Sequence, residues 1–145
     1  MLETAITAWV FFTIIFLGCE MLRLGYNIIM TEYAASRVLR EAVTGAANPT
    51  TYAVVSDPAA RGAQIEDNVI NLAASFGLNL GPAAGDNPHV SVCPLGVDCT
   101  GGDNAGPGET SMTLKVRYPL PMLFGLTTYT VNVIVIGQNE PFDAF

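Results

Sequence analysis

The sequence has few basic residues. Lysine and arginine together number six against thirteen aspartates and glutamates, which gives a net charge of −7 at pH 7. Lys115 is the only lysine. Proteins that bind nucleic acids usually present a basic patch or stripe to the phosphate backbone. The composition argues against that class, and we predict no nucleic-acid partner.

The sequence also lacks the motifs that enzymes carry. His89 is the only histidine, and no serine lies in a Gly-x-Ser-x-Gly motif. Gly101-Gly102 and Gly106-x-Gly108 precede a predicted strand, whereas a phosphate-binding glycine loop leads into a helix. We therefore predict no catalytic residue, no cofactor and no small-molecule substrate.

Metal-binding patterns are weak as well. Asp98, Asp103, Asn104 and Glu109 lie in a glycine-rich stretch and carry the oxygen ligands that calcium prefers. Their spacing matches no EF-hand pattern, and acidic loops are commonly only solvated. We predict no metal site and keep calcium binding by this loop as an alternative.

Cysteine is scarce, with three in the chain. Cys93 and Cys99 flank a turn-rich segment, and their separation allows a disulfide if the domain matures outside the cytoplasm. Two free thiols in a loop are the alternative. With His89 as the only histidine, the pair forms no zinc or haem pattern. Cys19 stands alone among apolar residues.

Apolar residues are abundant at the start of the chain. Residues 4–19 read TAITAWVFFTIIFLGC, without a charge or a proline. Glu3 precedes this run and Glu20 follows it. The run is slightly shorter than a typical membrane span of about 20 residues. No basic residues precede it and no small-x-small cleavage site follows it, so it differs from a signal peptide. We predict a membrane-spanning helix.

The helical pattern continues beyond the apolar run. Apolar residues recur at helical spacing as far as Val43, and Asn48-Pro49 ends the pattern because the residue before a proline avoids helical backbone angles. A helix over residues 2–46 would be about 68 Å long, roughly twice the bilayer core. We divide the chain into an N-terminal hydrophobic helix, residues 1–47, and a head domain, residues 48–145.

A second helix is predicted in the head domain. Asp57 is a good N-cap, and Pro58 suits the first helical position. The helix should run to about Phe76, with Gly77 as its C-terminal cap. Its apolar residues fall on one face: Ile65, Val69, Leu72, Ala73 and Phe76.

Three strands should follow. Residues 89–93, 110–118 and 127–136 alternate between apolar and polar side chains. We expect Pro119 and Pro121 to end the middle strand. The predicted fold class is α+β: a long N-terminal helix, then a small head with one further helix and an antiparallel meander of about three strands.

Two stretches of the chain carry a series of motifs. The front has Glu3-Thr-Ala-Ile, the apolar run, Glu20-Met-Leu-Arg23, and then Tyr33-Ala-Ala-Ser-Arg37-Val-Leu-Arg40-Glu-Ala. The back has Thr113-Leu-Lys-Val-Arg-Tyr118-Pro-Leu-Pro-Met-Leu-Phe-Gly-Leu126, followed by a strand. In this order the chain resembles the TadE-like family of pilin-related proteins from tight-adherence (Tad/Flp, type IV-related) secretion systems. It lacks the proline that is usual in the family's membrane segment.

The resemblance implies a structural subunit. Such a subunit rests in the cytoplasmic membrane, meets a prepilin peptidase and a pilus assembly platform, and then polymerises with its own copies. The expected product is an extracellular pilus filament on the cell surface, with a part in cell adhesion. Two alternatives stay open. One is a minor pseudopilin that primes or caps another pilus, and the other is a monomeric single-span envelope protein whose head binds a partner.

Charged residues on the first helix are candidates for setting the register of assembly. Glu3 could pair with the α-amine of Met1 on a neighbouring subunit, because an unpaired buried carboxylate is unfavourable by several kcal/mol. Alternatively, Glu3 only lies among the lipid headgroups. Glu20 and Arg23 are spaced to pair within one helix or to bridge two helices.

Aromatic and small residues are candidates for packing in a filament core. The aromatic residues spread over roughly half of the helix circumference, and lipid contact would explain them equally well. The glycines allow a close approach between helix backbones. The candidates are Trp9, Phe11, Phe12, Phe16, Gly18 and Gly25.

Overall fold

The computed structural model describes residues 2–43, 57–81, 88–97, 103–122 and 125–139. Two helices precede a three-stranded sheet, so the α+β class is confirmed. The strands lie in the order β1-β2-β3, and both neighbouring pairs are antiparallel, as the predicted meander requires. The elements are α1 (Leu2–Val43), α2 (Pro58–Ser75), β1 (Val90–Pro94), β2 (Ser111–Met122) and β3 (Thr127–Gln138).

The long first helix is present as one unbroken element. Glu3 lies in its first turn and Arg40 in its last, where each charge is favoured by the helix dipole. The described helix ends at Val43, and the predicted stop at Asn48-Pro49 lies outside the described residues. The division at residue 47 stays a prediction.

The second helix begins and ends as its sequence predicts. The Asp57 carboxylate accepts hydrogen bonds from the backbone N–H groups of Ala59 and Ala60, each at 3.3 Å. At the other end, Gly77 adopts a φ of 77°, a left-handed conformation that is unfavourable for most other residues. Both caps act locally, which is why the sequence alone reveals them.

The middle strand is longer than predicted. We expected Pro119 and Pro121 to end it, and this prediction was wrong, since β2 continues to Met122. Strand β1 pairs with β2 only as far as Val116, and the N–H of Arg117 then donates to the His89 carbonyl. Beyond that point β2 pairs with β3 alone. One edge of β2 needs no N–H donors there, so proline is tolerated.

Both helices cover the same face of the sheet and enclose the core. The second half of α1 packs mainly on β3, and α2 packs beside it over β1. Burial alternates along β2 as the sequence predicts, with Met112, Leu114, Val116 and Tyr118 pointing inward. The helices contribute, among others, Ala34, Ala35, Val38, Leu39, Ile65, Val69 and Ala73. Half of α1 therefore belongs to the core of the head.

A close backbone approach fixes α2 against the loop before β2. A Cβ atom added to Gly62 would lie 2.8 Å from the backbone nitrogen of Asn104 and 2.8 Å from the carbonyl carbon of Asp103. That separation is too short for non-bonded atoms. The absence of a side chain on Gly62 is what allows α2 to approach this loop.

Candidate assembly surface

The N-terminal half of α1 stands clear of the head. Every residue from 3 to 19 is exposed, although most are apolar. Arg23 donates a hydrogen bond to the Pro121 carbonyl of β2, near the point where α1 meets the sheet. We call residues 3–23 the N-terminal rod. By length and composition α1 is able to cross a membrane, and none of its most apolar window is buried by the rest of the protein.

The predicted packing residues lie on this rod or at its junction with the head. Trp9, Phe11, Phe12 and Phe16 are all exposed, and Trp9 is the most exposed of the four at 73%. Gly18 and Gly25 have open space where a Cβ would be. Close packing within this chain therefore does not require glycine at either position, and a role in contacts between copies stays a prediction.

Glu3 is exposed in the first turn of the rod. Its backbone carbonyl accepts a hydrogen bond from the Thr7 hydroxyl at 2.9 Å. No ion-pair partner of its carboxylate lies within the described ranges, 2–43 and the head segments. Met1 lies outside the described residues, so its pairing with Glu3 stays a prediction.

Glu20 and Arg23 mark the point where α1 leaves the head. Arg23 lies 3.2 Å from Oε2 of Glu20, which is the intrahelical pair allowed by their spacing. The same guanidinium donates to the Pro121 carbonyl near the end of β2. Glu20 is largely covered, with 14% of its side chain exposed, whereas Arg23 keeps 47%. The pair therefore joins the rod to the sheet as well as two turns of one helix.

A buried polar group ties α1 to β2 one turn further on. The Thr31 hydroxyl donates to the Asn27 carbonyl at 2.7 Å and lies 3.2 Å from the Tyr118 hydroxyl. The Tyr118 hydroxyl also donates to Oδ1 of Asn27 at 3.5 Å. Burial raises the pKa of Tyr118, and the hydrogen bond to Thr31 opposes that shift only in part. Sequence reasoning missed this group, although two polar residues four apart on a buried helical row were a usable signal.

Arg61 is a second buried polar residue that the sequence did not reveal. Its guanidinium donates to the carbonyls of Ala105 and Gly106, and burial lowers the pKa of Arg61. The signal was its position, because Arg61 shares the i, i+4 row of Ile65, Val69 and Ala73 on the buried face of α2. Its bonds hold the loop before β2 and indicate a structural role.

The acidic loop is residues 98–109. Where it is described, its Asp103 and Asn104 side chains accept hydrogen bonds from backbone N–H groups. Asp103 accepts from the Val92 N–H through Oδ1 at 2.8 Å, and Asn104 accepts from the Gly106 N–H at 2.8 Å. Within the described residues no group of three or more acidic, histidine or cysteine side chains is arranged to hold a metal. Asp98 lies outside the described residues, and calcium binding by the whole loop stays an alternative.

The cysteines differ in state. Cys93 is disulfide-bonded and buried on β1, whereas Cys19 is a free, exposed thiol on the rod. Cys99 lies outside the described residues, so the Cys93–Cys99 pairing stays a prediction.

Comparisons with protein-family models, with curated proteins and with solved structures find no match to this chain.

Proposed function

We propose that the protein is a pilin-like structural subunit that polymerises through the N-terminal rod into a type IV-related filament at the cell surface. The observation that carries this proposal is the contrast along α1. Residues 24–43 contribute side chains to the head's core, while residues 3–19 are exposed on all sides and mostly apolar. A bare apolar helix of this length requires either lipid or other helices around it.

Lipid and other copies would cover the rod at different stages. Removing apolar surface from water contributes about 25 cal/mol per Å², so insertion of the rod into a membrane is strongly favoured. Transfer from lipid to a bundle of rods gains much less, because lipid tails are as apolar as leucine. Packing shape and ion pairs must then decide how copies align. A contact that repeats without closing builds a filament.

The test is the composition of surface filaments. We expect shear-released filaments from producing cells to contain this chain as their main component, with electron microscopy showing a regular helical repeat. Mass spectrometry of the mature N-terminus should show that a leader has been removed. A chain that stays in the membrane as a monomer would instead support the single-span envelope protein.

The filament assay also separates a major subunit from a minor one. If this chain is a pseudopilin that primes or caps another pilus, filaments will contain it at a small fraction of another subunit. Loss of the chain would then reduce the number of filaments without changing their repeat. Either result contradicts a homopolymer built from this protein.

Glu3 offers a narrower test of assembly. Glu3→Ala should leave membrane insertion intact and lower filament yield, because the carboxylate that aligns neighbouring rods is gone. Glu32→Ala is the matched control, since Glu32 is an exposed glutamate on the same helix beside the head. Normal filament yield from Glu3→Ala would remove Glu3 from the assembly surface.

A further inference from the structure

An exposed apolar row continues from the rod along the outer side of α1, past the head. Its members recur at helical spacing, and two of them also contact the end of α2. The Tyr26 hydroxyl donates to the Phe76 carbonyl at 3.1 Å, and the Tyr33 ring packs edge-on against the Phe76 ring. Leu22 is 76% exposed and Ile29 62%, and the tyrosines are about half exposed. We call this set the back row: Leu22, Tyr26, Ile29 and Tyr33. Apolar residues at this spacing form one stripe on a helix, which usually meets another helix.

The charges of α1 select one way of aligning two parallel copies. At an offset of 20 residues, Glu20 of one copy is level with Arg40 of the other, and Glu3 is level with Arg23. No like charges meet at this offset. At any other offset, two parallel copies bring at most one pair of opposite charges to the same height, or they bring like charges to the same height as well. The charges in question are Glu3, Glu20, Arg23, Glu32, Arg37, Arg40 and Glu41.

At the same offset, helix geometry places the back row of one copy against the rod of the next. Each residue turns an α-helix by ~100°, so positions 20 apart lie roughly 200° apart, on opposite sides. Two parallel copies in the same orientation therefore face each other through such positions. The back row of one copy then meets the rod of the next. Residues brought level are Ile6 with Tyr26, Trp9 with Ile29, and Thr13 with Tyr33.

The head supplies a steric limit at the same place. At this offset Val43, the last described residue of α1 in one copy, is level with Arg23 of the other. Glu20 is largely covered and Arg23 donates to Pro121, so the head of that copy begins at these two residues. A smaller offset would push the end of one α1 against the head of the next. The neighbouring helix thus covers the rod up to the point where the head starts.

We infer that the back row binds the N-terminal rod of a second copy, offset by 20 residues or about 30 Å, with Arg40 paired to Glu20. Arg40 is exposed and has no ion-pair partner among the described residues. Arg23 lies beside Oε2 of Glu20, and Arg40 of the second copy would approach through the 14% of the Glu20 side chain that stays exposed, since a carboxylate accepts several hydrogen bonds. This inference rests on the proposed function and specifies its register.

Disulfide trapping tests the register in the full-length chain. In a Cys19→Ser background, two double variants place thiols at level positions: Trp9→Cys with Ile29→Cys, and Thr13→Cys with Tyr33→Cys. Oxidation of assembled material should give a ladder of covalent oligomers on non-reducing gels for both variants. A ladder is expected because each copy links to one neighbour through its rod and to another through its back row.

The matched controls use the same four positions in the other combination. Trp9→Cys with Tyr33→Cys, and Thr13→Cys with Ile29→Cys, displace the thiols by about 6 Å along the axis and should give at least tenfold less ladder. Each single variant should give no dimer. Stronger ladders from the controls, or dimers from Ile29→Cys alone, would overturn the register while leaving filament formation intact. Absence of any assembly in the wild type would overturn the proposed function itself.

Charge reversal tests the ion pair separately. Arg40→Glu should raise the concentration needed for assembly about tenfold, because it places two carboxylates together in an apolar contact. Arg40→Lys should retain most of the assembly, and Arg117→Glu, an exposed position on the outer face of β2, should leave it unchanged. Assembly of Arg40→Glu at the wild-type concentration would remove Arg40 from the contact.

Discussion

The two halves of α1 are continuous in backbone and opposite in environment. Residues 3–19 are exposed on every side, whereas the second half buries a row that includes Thr31, Ala34, Ala35, Val38 and Leu39. The exposed half is the more apolar of the two. Hydrophobicity alone would therefore misplace the core, since the most apolar stretch of the chain lies outside it.

The environment of the second half of α1 follows from its pattern of apolar and polar residues. The environment of the first half follows from its composition. The second half has one buried apolar side that packs on the sheet and α2, and a mixed outer side that carries the back row together with charged residues. The first half is apolar all round and fits a surrounding medium or several like helices equally well. Substitutions that affect one half and spare the other test this distinction.

The largest effect should come from a charge placed in each half. Ala35→Asp buries a carboxylate at a fully covered position and should destabilise the head by about 3–5 kcal/mol, a large part of a typical domain stability. Ile15→Asp should leave the head intact, because Ile15 is exposed. Hydrogen exchange of the β2 amides measures both. An equal loss of hydrogen-exchange protection in the two variants would contradict the distinction between the halves.

A smaller effect is expected from adding one methyl group to a glycine in each region. Gly62→Ala forces a Cβ against loop backbone and should lower the free energy of unfolding by about 1–3 kcal/mol. Gly18→Ala adds the same methyl group where nothing lies within 4 Å. Urea unfolding of the head should respond to Gly62→Ala only. An unchanged midpoint for Gly62→Ala would show that the loop moves aside freely.

Tyr118 should make the junction between α1 and the sheet sensitive to alkaline pH. Burial raises its pKa in the folded state, so the stability it contributes is present below its unfolded value of about 10 and is lost as pH rises through the folded pKa. Tyr118→Phe should lower the stability by about 1 kcal/mol at neutral pH and reduce the loss above pH ~10. Unfolding free energies across pH provide the readout, with the exposed Tyr129→Phe as control. An alkaline profile unaltered by Tyr118→Phe would contradict this assignment.

The smallest effect is expected at the boundary between the halves. Arg23→Lys keeps the charge beside Glu20 but removes the planar fork that reaches the Pro121 carbonyl. We expect a loss below about 1 kcal/mol, confined to faster hydrogen exchange near the end of β2. Arg37→Lys, which alters an exposed pair with Glu41, is the matched control. A global loss of stability would show that Arg23 supports the whole head.

Local signals predicted most of the fold correctly. The Asp57 cap, the Gly77 turn and the alternation along β2 and β3 act over a few residues, so they are visible without the third dimension. The end of β2 was not predictable in this way. Proline is excluded from a strand only where a neighbour needs its N–H, and the length of β1 decides where that need ends.

The candidate assembly surface was predictable in part. The exposed aromatic residues, Glu3 and the Glu20–Arg23 spacing could be read from the helix alone. The additional bond of Arg23 to Pro121 could not, because it joins residues 98 positions apart. The same limit applies to Tyr118, whose partners on α1 come from a distant part of the chain.

The sequence by itself determined a long apolar helix and a small α+β head, because helical and strand periodicity are properties of neighbouring residues. Only the tertiary structure decided that the head takes the second half of that helix into its core and leaves the first half bare. The reason is the sheet. Its inward apolar face packs against one side of residues 24–43 together with α2, whereas residues 3–19 extend past the described head and stay exposed.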